Sequence, residues 1–144
     1  MALTQTIQDA AVRKEIAADC SQLIDQIVST KSGLSGLAFK ATYGVVKGIG
    51  ADYIPGAINR LLPETFAALD PIWQEGKTQG DPVNYLSTHK DRTADVILST
   101  TDHRIANNGN AVIKASYNKL RKSVKGDVAA AVPDLAQIIS KHAG

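Results

Sequence analysis

The segment Gly33–Gly50 reads GLSGLAFKATYGVVKGIG, and its hydrophobic periodicity sets the expected fold. At about 100° per residue, a helix over this segment has one narrow stripe of glycine and polar residues, and the rest of its surface is apolar. Because so little of that surface is polar, the sequence predicts a central, glycine-rich apolar helix near residues 33–50, with other helices packed around it. The stripe consists of Gly33, Gly36, Lys40, Tyr43, Gly44 and Lys47.

Helical spacing of apolar residues continues on both sides of this segment. It runs from about Asp9 to Thr30, and it recurs over 83–107, 113–126 and 128–142. Pro133 is expected to kink or restart the last of these helices. The run VILSTT could form a strand in a competing α+β fold, but its neighbours keep helical spacing.

The stretch between Gly50 and Val83 is dense in proline and glycine, which predicts short helices near 56–61 and 63–76. Asp70 and Asp81 each precede a proline, as helix caps often do. Together these patterns predict one compact all-α bundle of five or six helices.

Composition bounds the class of protein. The 144 residues are 44% hydrophobic, 5% aromatic and 21% charged, and they show no evident internal repeat or linker. These values predict a single helical domain over residues 1–144. The single cysteine, Cys20, and the absence of a secretory signal or a long apolar run predict a cytoplasmic protein without a transmembrane segment.

Several segments resemble an uncharacterised family of bacterial proteins of about this length, known as a domain of unknown function. They are DCSQLIDQIVSTKSGLSGLAFKATYGVVKGI, LLP with a later LDP, TDHR, and SYNKLRKSVKGDVAAAVP. The resemblance implies an all-helical fold, and it supplies no substrate, partner or catalytic residue.

The glycine-rich segment also offers a candidate anion site. Gly33 and Gly36 open the helix, where free amide protons can bind an anion, while Lys40, Tyr43 and Lys47 lie on the same stripe. The segment lacks the order of residues of a phosphate-binding loop. Close packing of another helix against the glycines is therefore the simpler interpretation.

A second candidate is a basic stripe that could contact nucleic acid. It consists of Lys114, Arg121, Lys122 and Lys125, in a region from His103 to Gly126 that has no acidic residue. A solvent-exposed helix shows the same pattern, so nucleic-acid binding remains the alternative.

Catalytic and metal sites have little support in the sequence. The three histidines are isolated, and no cofactor fingerprint is present, so no metal and no cofactor are expected. An enzyme would have to be assembled from residues such as Lys40, Tyr43 and Asp102. We therefore expect a non-enzymatic cytosolic protein that binds an unknown protein or a small anionic ligand, with an oligomeric state that the sequence does not specify.

Overall fold

The computed structural model describes residues 2–31, 33–107 and 110–143, apart from the side chains at positions 34, 35, 122 and 123. The described residues form an all-α fold of seven helices, more than the five or six expected. The helices are α1 (Leu3–Thr6), α2 (Ala10–Ser29), α3 (Gly33–Lys47), α4 (Tyr53–Thr78), α5 (Pro82–Thr88), α6 (Lys90–Ala106) and α7 (Ala111–Ala143). None of the described helices is long and apolar enough to cross a bilayer.

Local sequence signals fix several of the helix ends. The Asp9 side chain accepts hydrogen bonds from the amides of Ala11 and Val12, and α2 begins there as predicted. Asp81 caps α5 in the same way, directly before Pro82. The run VILSTT lies inside α6, which confirms the helical prediction for that segment.

Helix α4 forms the centre of the fold, and it corrects the expectation of short helices near 56–61 and 63–76. It continues through Pro63 and Pro71, because its buried face contacts α1, α2, α5 and α6 and offsets the lost backbone hydrogen bonds. Asp70 is therefore not a helix cap. Its carboxylate accepts a hydrogen bond from the amide of Leu3 at 2.9 Å, which anchors α1. The buried residues of α4 are Leu62, Thr65, Phe66, Leu69, Ile72, Trp73 and Gly76.

Helix α3 is peripheral, so the prediction of a central helix near residues 33–50 is wrong. Leu37 is 65% exposed and Val45 is 54% exposed. The prediction from hydrophobic periodicity treated alanine and glycine as fully apolar residues, although their small side chains contribute little buried area. Phe66 and Trp73 contribute far more, and α4 takes the centre for that reason.

Helix α7 is continuous from Ala111 to Ala143, although the sequence predicted two helices meeting near Gly126. Neither Gly126 nor Pro133 ends it. Its second half buries Ala129, Val132, Ala136 and Ile139 against the rest of the core. Packing of this face therefore outweighs the local helix-breaking signals.

Two segments of the described fold share a sequence and hydrogen-bonding motif, which we call the internal repeat. Residues 39–47 read FKATYGVVK, and residues 113–121 read IKASYNKLR. Each segment follows a long helix, α2 or α6, and the tyrosine of each donates a hydrogen bond to an aspartate of that helix. The spacing from aspartate to tyrosine is 18 residues in the first case and 15 in the second, which obscures the match in the sequence.

The match extends into the core. Leu62-Pro63-Glu64 in α4 corresponds to Val132-Pro133-Asp134 in α7, and buried residues follow each motif at the same spacing. We call α1–α4 the first half and α5–α7 the second half; α7 corresponds to α3 and α4 joined into one helix. The halves also pack alike, because α2 contacts α4 and α7, while α6 contacts α7 and α4. The matched buried pairs are Leu62 and Val132, Phe66 and Ala136, and Leu69 and Ile139.

Candidate functional site

A partly open cavity of about 790 Å³ lies between the two halves. Helices α2, α3, α4, α6 and α7 all contribute to its wall. Its size falls within the range of cavities that enclose small organic ligands, roughly 300 to 1,000 Å³. The cavity is therefore the leading candidate for a functional site in the described part of the chain.

Matched positions of the two halves line this cavity. Counted from the aligned aspartates and tyrosines, seven of the eight lining residues of α2 and α3 have counterparts in α6 or α7 that also line the cavity. The exception is Leu23, whose counterpart is Thr100. The pairs are Cys20 and Ile97, Ile24 and Thr101, Ile27 and Arg104, Val28 and Ile105, Phe39 and Ile113, Tyr43 and Tyr117, and Val46 and Leu120. The internal repeat thus builds the cavity from both sides.

The wall is mostly aliphatic and aromatic. Cys20 belongs to it, and burial together with the nearby charge of Asp19 raises the pKa of its thiol to about 12. A thiol of this kind is protonated at neutral pH and packs as a small hydrophobic group. The lining thus suits a hydrocarbon-like ligand better than a polar reactant.

On the first half, Tyr43 and Asp25 tie α3 to α2 beside the cavity. The hydroxyl of Tyr43 donates to Asp25 at 2.6 Å, and the ammonium of Lys47 pairs with the same carboxylate oxygen at 3.2 Å. The hydrogen bond from Tyr43 lowers the pKa of Asp25, while burial and that carboxylate raise the pKa of Tyr43. Asp25 is therefore a stable anion that holds α3 in place.

The second half carries the matching group. The hydroxyl of Tyr117 donates to Asp102 at 2.5 Å, and Arg121 donates to both oxygens of that carboxylate, the shorter contact being 2.9 Å. The hydrogen bonds from Arg121, and to a lesser degree from Tyr117, lower the pKa of Asp102. Lys47 and Arg121, which the sequence analysis assigned to candidate binding sites, are thus engaged in ion pairs that hold neighbouring helices together.

One side of the cavity carries two arginines beside one glutamate, Glu64. Arg60 of α4 and Arg104 of α6 both line it, and among the described residues neither forms an ion pair. Thr65 contacts Thr100 at 3.0 Å and Glu64 contacts His103 at 3.6 Å, so α4 and α6 run antiparallel here. This register places Arg60 beside the last turn of α6, which carries Arg104.

The repeat shows that neither arginine has a basic counterpart in the other half. The counterpart of Arg104 in α2 is Ile27, and the counterpart of Arg60 in α7 is Ala130. The cavity is therefore apolar along most of its wall, and where α4 meets the end of α6 it carries two arginines against the single carboxylate of Glu64, which contacts His103.

A partly buried ion pair lies at another part of the wall. Lys31 pairs with Asp127 at 2.5 Å and also lies 5.2 Å from the ring centroid of Phe39. The second carboxylate oxygen of Asp127 is buried and has no hydrogen-bond partner among the described residues. Since Asp127 lines the cavity, this oxygen could accept a hydrogen bond from a hydroxyl group of a bound molecule.

The residues of the predicted anion site do not converge on an anion site, because Tyr43 and Lys47 both contact the Asp25 carboxylate. Lys47 is paired with Asp25, whereas Lys40 is exposed. Gly33 has φ +76°, and a Cβ on Gly36 would lie 2.9 Å from the backbone carbon of Lys31, so both glycines have structural reasons to be glycine. Only Tyr43 of this group lines the cavity.

The predicted basic stripe is partly neutralised. Arg121 pairs with Asp102, and Lys125 pairs with Asp95 at 2.9 Å, both across α6 and α7. Lys114 is exposed, and the side chain of Lys122 lies outside the described residues. Nucleic-acid binding through this stripe remains an untested prediction.

The hydrogen bonds also separate the residues of the hypothetical enzyme. Tyr43 donates to Asp25, and Asp102 accepts from Tyr117 and Arg121, so Lys40, Tyr43 and Asp102 do not form one hydrogen-bonded group. No group of three or more potential metal ligands occurs in the described part of the chain.

Sequence reasoning missed Arg60 and Arg104 as candidate site residues, and it interpreted the apolar lining as core. A repeat search that tolerates loop-length differences would have matched Arg104 with Ile27 and flagged a charge at an apolar position.

Comparison with known families identifies the family of this chain. The model of a family of unknown function, DUF6918, matches residues 3–143, nearly the whole chain. No curated protein and no solved structure matches significantly.

Proposed function

We propose that this chain, which belongs to DUF6918, a family of unknown function, binds a single-chain amphipathic lipid with an anionic head group. The observation that carries the proposal is the apolar cavity of about 790 Å³ between the two halves. The tail of the ligand lies among the aliphatic and aromatic side chains, and the head group lies at Arg60 and Arg104.

The tail accounts for most of the expected affinity. Each buried methylene contributes about 0.8 kcal/mol, so about ten of them contribute about 8 kcal/mol. If the entropic cost of ordering the chain is left out, this free energy of binding corresponds to a Kd of about 1 μM. A cavity of this volume can enclose a chain of that length together with its head group.

The head group determines the orientation of the ligand. A guanidinium donates paired hydrogen bonds to a carboxylate or phosphate, and such charge-assisted bonds are stronger than neutral ones. Arg60 and Arg104 lie at the same side of the cavity and form no ion pair with a described residue. The matched position in α2 is Ile27, so only this side favours an anion.

Binding rather than catalysis fits the cavity chemistry. A nucleophile or general base needs a pKa near neutral and a partner that activates it. Burial moves the pKa of Cys20 up to about 12 and also raises the pKa of Tyr43, which makes both weaker nucleophiles at neutral pH.

Calorimetric titration with saturated carboxylates of increasing chain length tests the proposal. The expected affinity rises about fourfold with each methylene until the cavity is full, because each contributes about 0.8 kcal/mol. A neutral alcohol of the same length should bind more weakly. If no carboxylate of any length binds, the cavity is not a lipid site.

The double variant Arg60→Gln/Arg104→Gln separates head-group recognition from tail binding. It should lose the preference for the carboxylate over the alcohol and keep the dependence on chain length. Lys77→Gln/Lys90→Gln is the matched control, because it removes two exposed cations that do not line the cavity. If the control loses the same preference, the arginines have no specific role.

A further inference from the structure

The outer face of α3 is apolar and exposed. Three of the four large hydrophobic residues exposed in the described chain lie on or directly after this helix: Leu37, Val45 and Ile49 are 65%, 54% and 45% exposed. At helical spacing they share a face with exposed alanine and glycine residues at positions 38, 41, 44 and 48. A face of this composition is unusual for a helix in water.

The second half shows what the same position carries when it faces water. In α7, the counterparts of Leu37, Gly44 and Val45 are Ala111, Asn118 and Lys119, all of them exposed. The apolar surface is therefore larger on α3, because α7 keeps exposed apolar side chains at Ala111 and Val112 and becomes polar at Asn118 and Lys119.

The charges around this face are positive. The segment from Gln26 to Ala51 contains no acidic residue, but it contains three lysines, Lys31, Lys40 and Lys47. Lys31 and Lys47 are paired with Asp127 and Asp25, so Lys40 is the cation that the described residues leave without an ion pair. It lies along one edge of the exposed apolar face and, together with the half-exposed Lys47, favours an anionic partner.

We propose that the outer face of α3 docks on an anionic phospholipid surface, with Leu37, Val45 and Ile49 inserted between lipids and Lys40 near their head groups. Interfacial helices combine an apolar face with flanking lysines in this way. The inner face of the same helix carries Phe39, Tyr43 and Val46 of the cavity wall, so docking places the cavity beside the lipids.

Vesicle flotation with the full chain tests this proposal. Wild-type protein should float with vesicles of phosphatidylglycerol and phosphatidylcholine and much less with phosphatidylcholine alone, and salt should weaken the binding. Leu37→Gln/Val45→Gln should reduce the vesicle affinity about tenfold or more. Val112→Gln is the matched control, because Val112 is 49% exposed and lies on α7.

Further measurements distinguish docking of α3 on vesicles from ligand binding in the cavity and from self-association of the protein. Leu37→Gln/Val45→Gln should melt like the wild type and bind dissolved carboxylates normally, whereas Arg60→Gln/Arg104→Gln should still float with vesicles. Absence of wild-type flotation, or equal flotation of Leu37→Gln/Val45→Gln, would overturn the proposal. A dimer in light scattering that only the α3 variant dissociates would also overturn it, because the face would then bind a second copy.

Discussion

Tyr43 and Tyr117 are matched residues of two similar halves, and both line the same cavity. Each donates its hydroxyl to an aspartate of the preceding long helix, at 2.6 Å and 2.5 Å respectively. A basic residue four positions later, Lys47 or Arg121, contacts the same aspartate. The two halves therefore support the cavity wall with the same arrangement of side chains.

Removing either hydroxyl should weaken the fold to a similar extent. Tyr43→Phe and Tyr117→Phe each lose one hydrogen bond to a carboxylate, which corresponds to about 1 to 2 kcal/mol in the free energy of unfolding. Urea denaturation measures both. Tyr53→Phe, at another cavity-lining tyrosine, is the control and should change stability by less than about 0.5 kcal/mol. Wild-type stability in both variants would show that these contacts do not hold the helices.

Acid should destabilise the protein through Asp25 and Asp102. Hydrogen bonds from Tyr43 and from Arg121 lower the pKa of these carboxyl groups in the folded state. The unfolded chain then takes up protons more readily, so the stabilisation is fully present above about pH 4 to 5 and is lost as pH falls through the folded pKa.

Urea denaturation from neutral pH down to acid pH measures this loss. Asp25→Asn/Asp102→Asn should be less stable at neutral pH and show a shallower decline on acidification. Asp52→Asn, at an exposed carboxylate before α4, is the control. A decline in the double variant as steep as that of the wild type would place the acid sensitivity elsewhere.

Two glycines should respond to alanine in opposite directions. A Cβ on Gly76 would lie 2.7 Å from the Cα of Pro82 and 3.0 Å from the Cβ of Tyr85, so Gly76→Ala should cost roughly 1 to 3 kcal/mol. A Cβ on Gly126 meets nothing within 4 Å, so Gly126→Ala should gain up to about 1 kcal/mol of helix stability. Thermal denaturation compares them, and a stabilised Gly76→Ala would contradict the close packing of α4 on α5.

Cys20 should react slowly with a thiol reagent, because burial raises its pKa to about 12 and little thiolate exists at neutral pH. A bound lipid should slow the reaction further, since Cys20 lines the cavity. The rate with a chromogenic disulfide, compared with that of the urea-unfolded protein, measures both effects. Equal rates for folded and unfolded protein would contradict the burial.

Local signals predicted the parts of the fold that depend on neighbouring residues. Asp81 caps α5 as expected, and α2 begins at Asp9, near the predicted start, because an aspartate before a helix start satisfies free amides nearby. The all-helical class and the family resemblance are confirmed as well.

The errors in the sequence prediction concern packing between distant residues. Proline and glycine signals at Pro63 and Gly126 were outweighed by the buried faces of α4 and α7. The cavity itself depends on the space left between helices of different halves, which no local pattern encodes. The charged side of the cavity combines Arg60 and Arg104, which come from segments far apart in the sequence.

Nuclear magnetic resonance of the protein with selectively labelled methyl groups and a long-chain carboxylate tests cavity binding most directly. The structure predicts nuclear Overhauser contacts between tail protons and methyl groups of both halves, in particular Ile24 and Val28 from α2 and Ile105 from α6. The end of the tail that bears the carboxylate should approach α4 and α6 beside Arg60 and Arg104. Contacts confined to exposed residues, or no contacts with a ligand in excess, would contradict a lipid-binding cavity between the two halves.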